Sequence, residues 1–414
     1  MRYLNVIHIP LARGKKPGTI RIPDLWLADI RPHVRALGSD GRLIIASPLV
    51  DDLAGKNVGF SEVEVNPGDE GFEHVALPFF NSMKGYLKVR RDVEKRLEKA
   101  VEDCTILHAG YGGHPIPVGQ IAWPIARRLN KKRIWIFDGA DPFPRMELNA
   151  SNDPNPLKRW LKRRHYKKFT GFCRQAMTEA DLVFVHNEAV VTRFKDVWNG
   201  HCHQFDRTFV DDEMLTAPDI LQLREQELLD MSRPLRLVAA GRQLKIKGTD
   251  HVLRAMKIAR DRSITLHLDV YGDGDDLLDF KALASELSLT DRVSFKGTVP
   301  YGPILFAELL KSQVMLITNL TAEISRNVMI SMALGLPLII YRNPGTDKLI
   351  ESHDAGILVD KGNIESLATS LIAAHQDRGR LVQLSRNARA LAESNTLRAC
   401  HEKRMRLVRE LLGK

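Results

Sequence analysis

In 414 residues, no apolar run approaches the ~20 residues that a membrane-spanning helix needs, so no transmembrane segment is expected. The opening, MRYLNVIHIP, has no basic stretch followed by an apolar one, so no secretory leader is expected either. Cysteine is scarce: Cys104, Cys173, Cys202 and Cys400 lie far apart, without the paired spacings of a zinc site, a redox pair or a disulfide frame. No H-x-x-x-H supplies a catalytic metal, and neither a nucleophile elbow nor a Ser/His/Asp order suggests a hydrolase. Low-complexity tracts and tandem repeats are also missing. With 44% apolar and 27% charged residues the composition is that of a globular protein, which excludes wholesale disorder. What remains is a cytoplasmic protein whose length suits two domains or three.

The charge is unbalanced. Lys and Arg number 61 against 51 Asp and Glu, a net +10 that favours anionic partners such as phosphates, nucleic acid or anionic lipid. Short, almost continuously apolar runs recur between longer amphipathic stretches: LNVIHI (4–9), RLIIAS (42–47), TILHAG (105–110), RIWIF (133–137) and DLVFVH (181–186). Such runs are strands covered on both faces, and their alternation with helices predicts a parallel, doubly wound α/β sheet. The polar, helix-prone stretch 216–234 interrupts the pattern, which restarts with RLVAAG (236–241), TLHLDVYG (265–272), RVSFKG (292–297), VMLIT (314–318), PLIIY (337–341) and GILVD (356–360). The expected organisation is a Rossmann-like domain over 1–215, a linker over 216–233, a second Rossmann-like domain over 234–390, and a C-terminal helix over 391–414 that returns to the first domain.

Ligands of open α/β sheets sit beyond the carboxyl ends of the strands, so the loops there carry the candidate chemistry. In VAAGRQLKIKGTDHVLRA (238–255) a strand end is followed by Arg242, Lys247 and Gly248 before a helix starts, two cations and backbone amides suited to a diphosphate. A solvated basic loop would look the same. In VYGDGDD (270–276), Gly272 and Gly274 suffice for a tight turn, and Asp273 and Asp275 then favour the next helix's N-terminus more simply than a metal does. In TAEISRNVMISMALGLPLII (321–340), Glu323 follows a strand and Ser325 suits a helix N-cap. A carboxylate there can hold sugar hydroxyls, or can merely favour the helix dipole.

In this order and spacing, Gly241, Arg242, Lys247 and Gly248, then Gly272 and Gly274, Val293, Phe295 and Gly297, and finally Ala333, Gly335 and Pro337 resemble the retaining glycosyltransferases of the GT-B fold, specifically glycosyltransferase family four. The resemblance spans the C-terminal half. It implies two Rossmann-like domains facing a cleft and transfer of a sugar from a nucleotide donor. It also implies that Arg242 and Lys247 bind the donor diphosphate, that Glu323 contacts the transferred sugar, and that amides near Asn327 and Val328 face the distal phosphate. The family's second glutamate, which holds the ribose, falls eight positions after Glu323, where this sequence has Ser331. No metal or other cofactor is implied, because the nucleotide sugar is a substrate.

The N-terminal half resembles the family more loosely. HIPLARGKKPGT (8–19) stands where the family has a glycine-rich loop near the phosphates, with Gly18 as the candidate contact. Asp138, after RIWIF, stands where many members place a histidine near the reacting sugar, and Asp141 follows. His108 and His114, in ILHAGYGGHPIP, are candidates for a catalytic or acceptor-binding role, although a histidine at such a spot more often serves as a structural hydrogen-bonder. LKRWLKRRHYKK (157–168) carries seven basic residues and no acidic one, with Trp160 and Tyr166 interleaved. Lys158, Arg159, Trp160, Lys162 and Arg163 form either a membrane or acceptor surface or the wet side of a helix packed on the sheet. The expected protein is a cytoplasmic glycosyltransferase of glycolipid, polysaccharide or other glycoconjugate synthesis. Its acceptor would be lipid-linked or a saccharide, its membrane contact the anionic inner leaflet, and nucleic acid is not an expected partner. A non-catalytic relative that keeps the fold for binding, or a nucleotide-sugar epimerase of similar fold, stays open.

Overall fold

The computed structural model describes residues 1–53, 62–137, 142–186, 188–205, 208, 210–321 and 325–413. Two compact units result: Met1–Arg207 with Cys400–Lys414, and Thr208–Ala399.

The first unit is built on strands β1 (Arg2–Val6), β2 (Leu11–Arg13), β3 (Ile20–Pro23), β4 (Arg42–Val50), β5 (Glu62–Val65), β6 (Phe72–Pro78), β7 (Ile106–Gly110), β8 (Lys132–Phe137), β9 (Leu182–Val185) and β10 (Cys202–Gln204). They form one sheet in the order β10-β9-β8-β7-β1-β4-β2-β3-β5, with β6 also on β4. Pairing is parallel from β10 to β4 and onto β6, as strand–helix alternation requires. Helices α1 (Asp24–Leu37), α2 (Met83–Asp103), α3 (Val118–Arg128), α4 (Phe143–Ser151), α5 (Pro156–Glu179) and α6 (Glu188–Arg193) fill the intervals. The sequence did not announce the edge: β3 pairs antiparallel with both β2 and β5. EVEV in β5 alternates charge with valine, which hides a strand from any search for apolar runs.

The second unit is a six-stranded, wholly parallel sheet. Its strands β11 (Leu235–Ala240), β12 (Leu266–Tyr271), β13 (Val293–Gly297), β14 (Val314–Ile317), β15 (Leu338–Tyr341) and β16 (Gly356–Val359) run in the order β13-β12-β11-β14-β15-β16. Each strand lies where an apolar run predicts it. Helices α7 (Pro218–Leu229), α8 (Thr249–Asp261), α9 (Leu277–Glu286), α10 (Pro303–Leu309), α11 (Asn327–Ala333), α12 (Asp347–His353), α13 (Ile364–Gln376) and α14 (Arg378–Ser394) complete it. The stretch 216–233, expected as a linker, holds α7. Arg224 on that helix is buried and donates to the carbonyls of Leu310 and Ser312, and Leu228 joins the core.

The last helix, α15 (Leu397–Leu411), ends in the first unit, where Met405 and Val408 are fully buried beside Tyr3, Leu27 and Leu43. His401 stacks on His33 with centroids 4.6 Å apart and donates to Asp29 at 2.9 Å. No helix of the described residues is long and apolar enough to cross a membrane.

Candidate functional site

In the second unit, the turns that leave β11, β12 and β14 are tied into one body. Gly241 N donates to Tyr271 O, Gln243 N to Asp273 O, and Asp276 N back to Gln243 O, each at 3.0–3.1 Å. The Gln243 side chain, 2% exposed, donates to the carbonyls of Gly241 and Tyr271 and accepts from Thr249 Oγ1. Thr318, after β14, donates to the carbonyls of Lys247 and Gly248. Asn327 Nδ2 donates to Ala240 O at 2.7 Å, which fixes the start of α11 to the end of β11. Two glycines make this closeness possible. A Cβ on Gly272, at φ +112°, would stand 2.0 Å from Gly241 O, and one on Gly248, at φ +72°, would stand 2.3 Å from Thr318 O.

Arg242 projects from this body as an exposed side chain that no ion pair holds among the described residues, and Lys247 is half-buried. The neighbouring Lys245 is engaged with Asp276 and Asp279. The amides of Asn327 and Val328 are less available than expected, because they already donate to Ser325 Oγ and Ser325 O. The ribose role given to Ser331 is corrected. Its side chain is 0% exposed and Oγ has no hydrogen-bond partner among the described residues, since α11 is buried on every side from Val328 to Ala333. Glu323 lies outside the described residues, as do Asp138 and Asp141. Asp273 accepts from the amide of Gly274, a local turn contact, and no group of three or more metal-ligating side chains forms among the described residues.

The first unit corrects two further expectations. Gly18 does not sit in a strand-to-helix phosphate loop. It lies in the hairpin turn between β2 and β3, closed by Gly14 N on Thr19 O and tied to the sheet edge by Thr19 Oγ1 on Glu64. His108 is a core residue at 4% exposure, with Nδ1 2.8 Å from the Tyr3 hydroxyl and Phe184 against its ring. Burial, then the charges of Arg404 and His401, push its pKa down to about 3, so the ring is neutral and inaccessible. His114, six residues on, is exposed and lines a cavity of about 580 Å³ with Tyr111, Pro142, Met146, Leu161 and His165. Asn155 caps the basic helix α5 by accepting from the amides of Leu157 and Lys158. The apolar stripe of that helix is packed only over its second half: Phe169, Cys173 and Ala176 are buried, whereas Leu157, Trp160 and Leu161 are 65%, 53% and 52% exposed.

Residues 221–391, which include all three tied turns, match the family model described as Glycosyl transferases group 1. The matched segment lies within the second unit and covers less than half of the chain. Among curated relatives, the amylovoran biosynthesis glycosyltransferase AmsK of Erwinia amylovora is 27% identical over 43% of this chain and 44% of its own length. The chain thus matches less than half the length of that relative. Among solved structures, HepE of Anabaena in complex with UDP superposes with a TM-score of 0.62 at 17% identity, covering all of both chains. WaaG, a glycosyltransferase involved in lipopolysaccharide biosynthesis, gives 0.55 at 15% identity, also over both whole chains. These likenesses show the GT-B fold for the full chain.

Gln243 and Thr318 shape the candidate donor loop and were not singled out for it by sequence reasoning, and Asn327 was expected there through its backbone amide and not through the side chain that ties α11 to β11. The only available signal was their position, at or just past strand ends. A lone amide or hydroxyl there has no spacing rule to reveal it.

Proposed function

We propose that this protein is a retaining glycosyltransferase that moves a sugar from a nucleotide-diphosphate donor to an acceptor in glycoconjugate synthesis. The observation that carries the reading is the body of turns at β11, β12 and β14, held in place by Gly248, Gly272 and Gln243 and carrying Arg242 and Lys247. Cations carried on a loop that is tied down before reaction stabilise charge that develops on a leaving diphosphate, and such preorganised electrostatics dominates this kind of step. Glu323 would contact the transferred sugar, and Asp138 and His114 would stand toward the acceptor. With the donor phosphate itself helping to deprotonate the acceptor hydroxyl, neither a side-chain base nor a metal is needed. The UDP held by HepE supports a nucleoside diphosphate as the leaving group.

The acceptor is lipid-linked or a saccharide. The exposed Leu157, Trp160 and Leu161 beside Lys158, Arg159, Lys162 and Arg163 support docking on the anionic inner leaflet of a membrane. The buried Ser331 favours a second reading, a binding module without turnover, because it leaves no charged group at the expected ribose position. A thermal-shift panel of nucleoside diphosphates and their sugars, followed by assay of hydrolysis or transfer, separates the two. Stabilisation with turnover supports the transferase, stabilisation without turnover the module, and neither result defeats both. A ligand at ~100 times its Kd adds ~2.7 kcal/mol, well within the range of the method.

A further inference from the structure

The cavity of the first unit has a composition that a bare sugar does not explain. Its volume of about 580 Å³ is that of a small-molecule site. The walls come from Tyr111, Pro115, Pro117, Met146, Leu161 and Phe169, and the polar groups that reach it are few: His114, Lys162, His165 and Asn149. Among the described residues no carboxylate lines it. Saccharide hydroxyls buried against proline, methionine and phenylalanine would lose hydrogen bonds to water that these walls cannot replace. Of the polar side chains lining it among the described residues, three carry or can acquire positive charge, beside the Asn149 amide and the Tyr111 hydroxyl.

The floor of the cavity also leads somewhere. Phe169, His165, Leu161 and Leu157 stand four residues apart on α5, so they follow one another along a single helix face for ~18 Å at 1.5 Å per residue. Exposure rises along this line: Phe169 is 8% exposed, Leu161 52% and Leu157 65%. An apolar ramp thus runs from the cavity to open solvent at the helix N-terminus, flanked by Lys158 and Lys162. Asp153 pairs with Lys162 at 2.6 Å and holds that ammonium beside the ramp. Burial, then the neighbouring His114, holds the His165 pKa below its ordinary value, so the two rings lie near each other at the cavity.

We propose that this cavity binds an anionic amphiphile, an alkyl or isoprenyl chain ending in a phosphate, with the phosphate between His114, His165 and Lys162 and the chain leaving along Leu161 and Leu157. An anion at that point removes the repulsion between the two imidazoles, and the chain covers leucines that otherwise face water. The assignment rests on the transferase reading in one respect, that this amphiphile is the acceptor or carries it; binding itself requires no transfer.

The test is calorimetric titration of the full chain with decyl phosphate below its micelle concentration, with octyl glucoside and inorganic phosphate as the two partial ligands. Decyl phosphate should bind at least tenfold more tightly than either. Leu161→Glu, a change at a half-exposed position that puts a carboxylate on the ramp, should weaken it at least tenfold, and His165→Ala severalfold. Binding no tighter than that of octyl glucoside, or unaltered in both variants, would overturn the proposal. Binding matched by inorganic phosphate alone would assign the site to a free anion and overturn the amphiphile. Titration of the same samples with UDP reads the other unit. Lost decyl phosphate binding with retained UDP binding defeats this inference alone, and the reverse defeats only the transferase reading.

Discussion

Gly272→Ala tests whether the turns of the second unit are as closely packed as described. The added methyl would lie 2.0 Å from Gly241 O and 2.8 Å from Gly241 C, both backbone atoms, at φ +112°. Relief requires the turn after β11, which carries Arg242, to move. Strained backbone costs ~1–3 kcal/mol and an over-packed contact another ~1–3, so the expected loss is ~2–6 kcal/mol. Gly297→Ala is the control, because Gly297 also has a positive φ, +71°, yet nothing lies within 4 Å of its Cβ. That change should cost only the left-handed penalty of ~1–2 kcal/mol. At roughly 2–4 °C per kcal/mol for a unit of this size, Gly272→Ala should lower the melting temperature at least twice as far as Gly297→Ala. It should also weaken nucleotide binding, which Gly297→Ala should leave unchanged. Equal losses of stability from the two variants would refute the close approach and with it the rigid donor loop.

Acid should weaken the first unit. Burial holds His108 near 3 and His74 near 4, below the ~6.5 of an unfolded histidine, so their stabilisation is complete above ~6.5 and is lost as pH falls toward those values. Urea midpoints at pH 7.5 and 5 should show the loss, and His108→Gln should flatten the slope; a flat wild-type profile would contradict the buried neutral rings. Vesicles containing anionic lipid should bind the protein and neutral vesicles should not. Changing Lys158, Arg159, Lys162 and Arg163 together to Gln should cut that binding at least tenfold, since each basic residue near such a surface contributes ~1 kcal/mol. Unaltered sedimentation with anionic vesicles would rule out α5 as the docking element.

The second sheet was legible because its strands are buried on both faces, so that VMLIT or PLIIY is apolar without interruption. The edge of the first sheet was not legible, because β2 is three residues long and β5 alternates valine with charge. His108 shows the limit of reading sites from strand ends. Side chains alternate across a sheet, so His108 shares the face of Ile106 in the core under α1 and α15, while Leu107 and Ala109 face the other core. Counting from a motif does not tell which face a residue takes. Ser331 fails for a related reason. Counting eight from Glu323 gives a position on α11, but a helix buried all around has no face left for a ligand. The exposed position of Arg242 was legible because a loop between strand end and helix start meets solvent.

The account's central claim is that Arg242 and Lys247 hold a donor diphosphate, and calorimetric titration of wild type, Arg242→Ala and Lys247→Ala with UDP, GDP and ADP tests it most directly. Hydrogen bonds to charged groups contribute ~1.5–3 kcal/mol, so each variant should lose ten- to a hundredfold in affinity for the nucleotide that wild type binds, with far-UV dichroism unchanged. Wild-type affinity in both variants, or no binding of any of the three nucleotides to wild type, would contradict it.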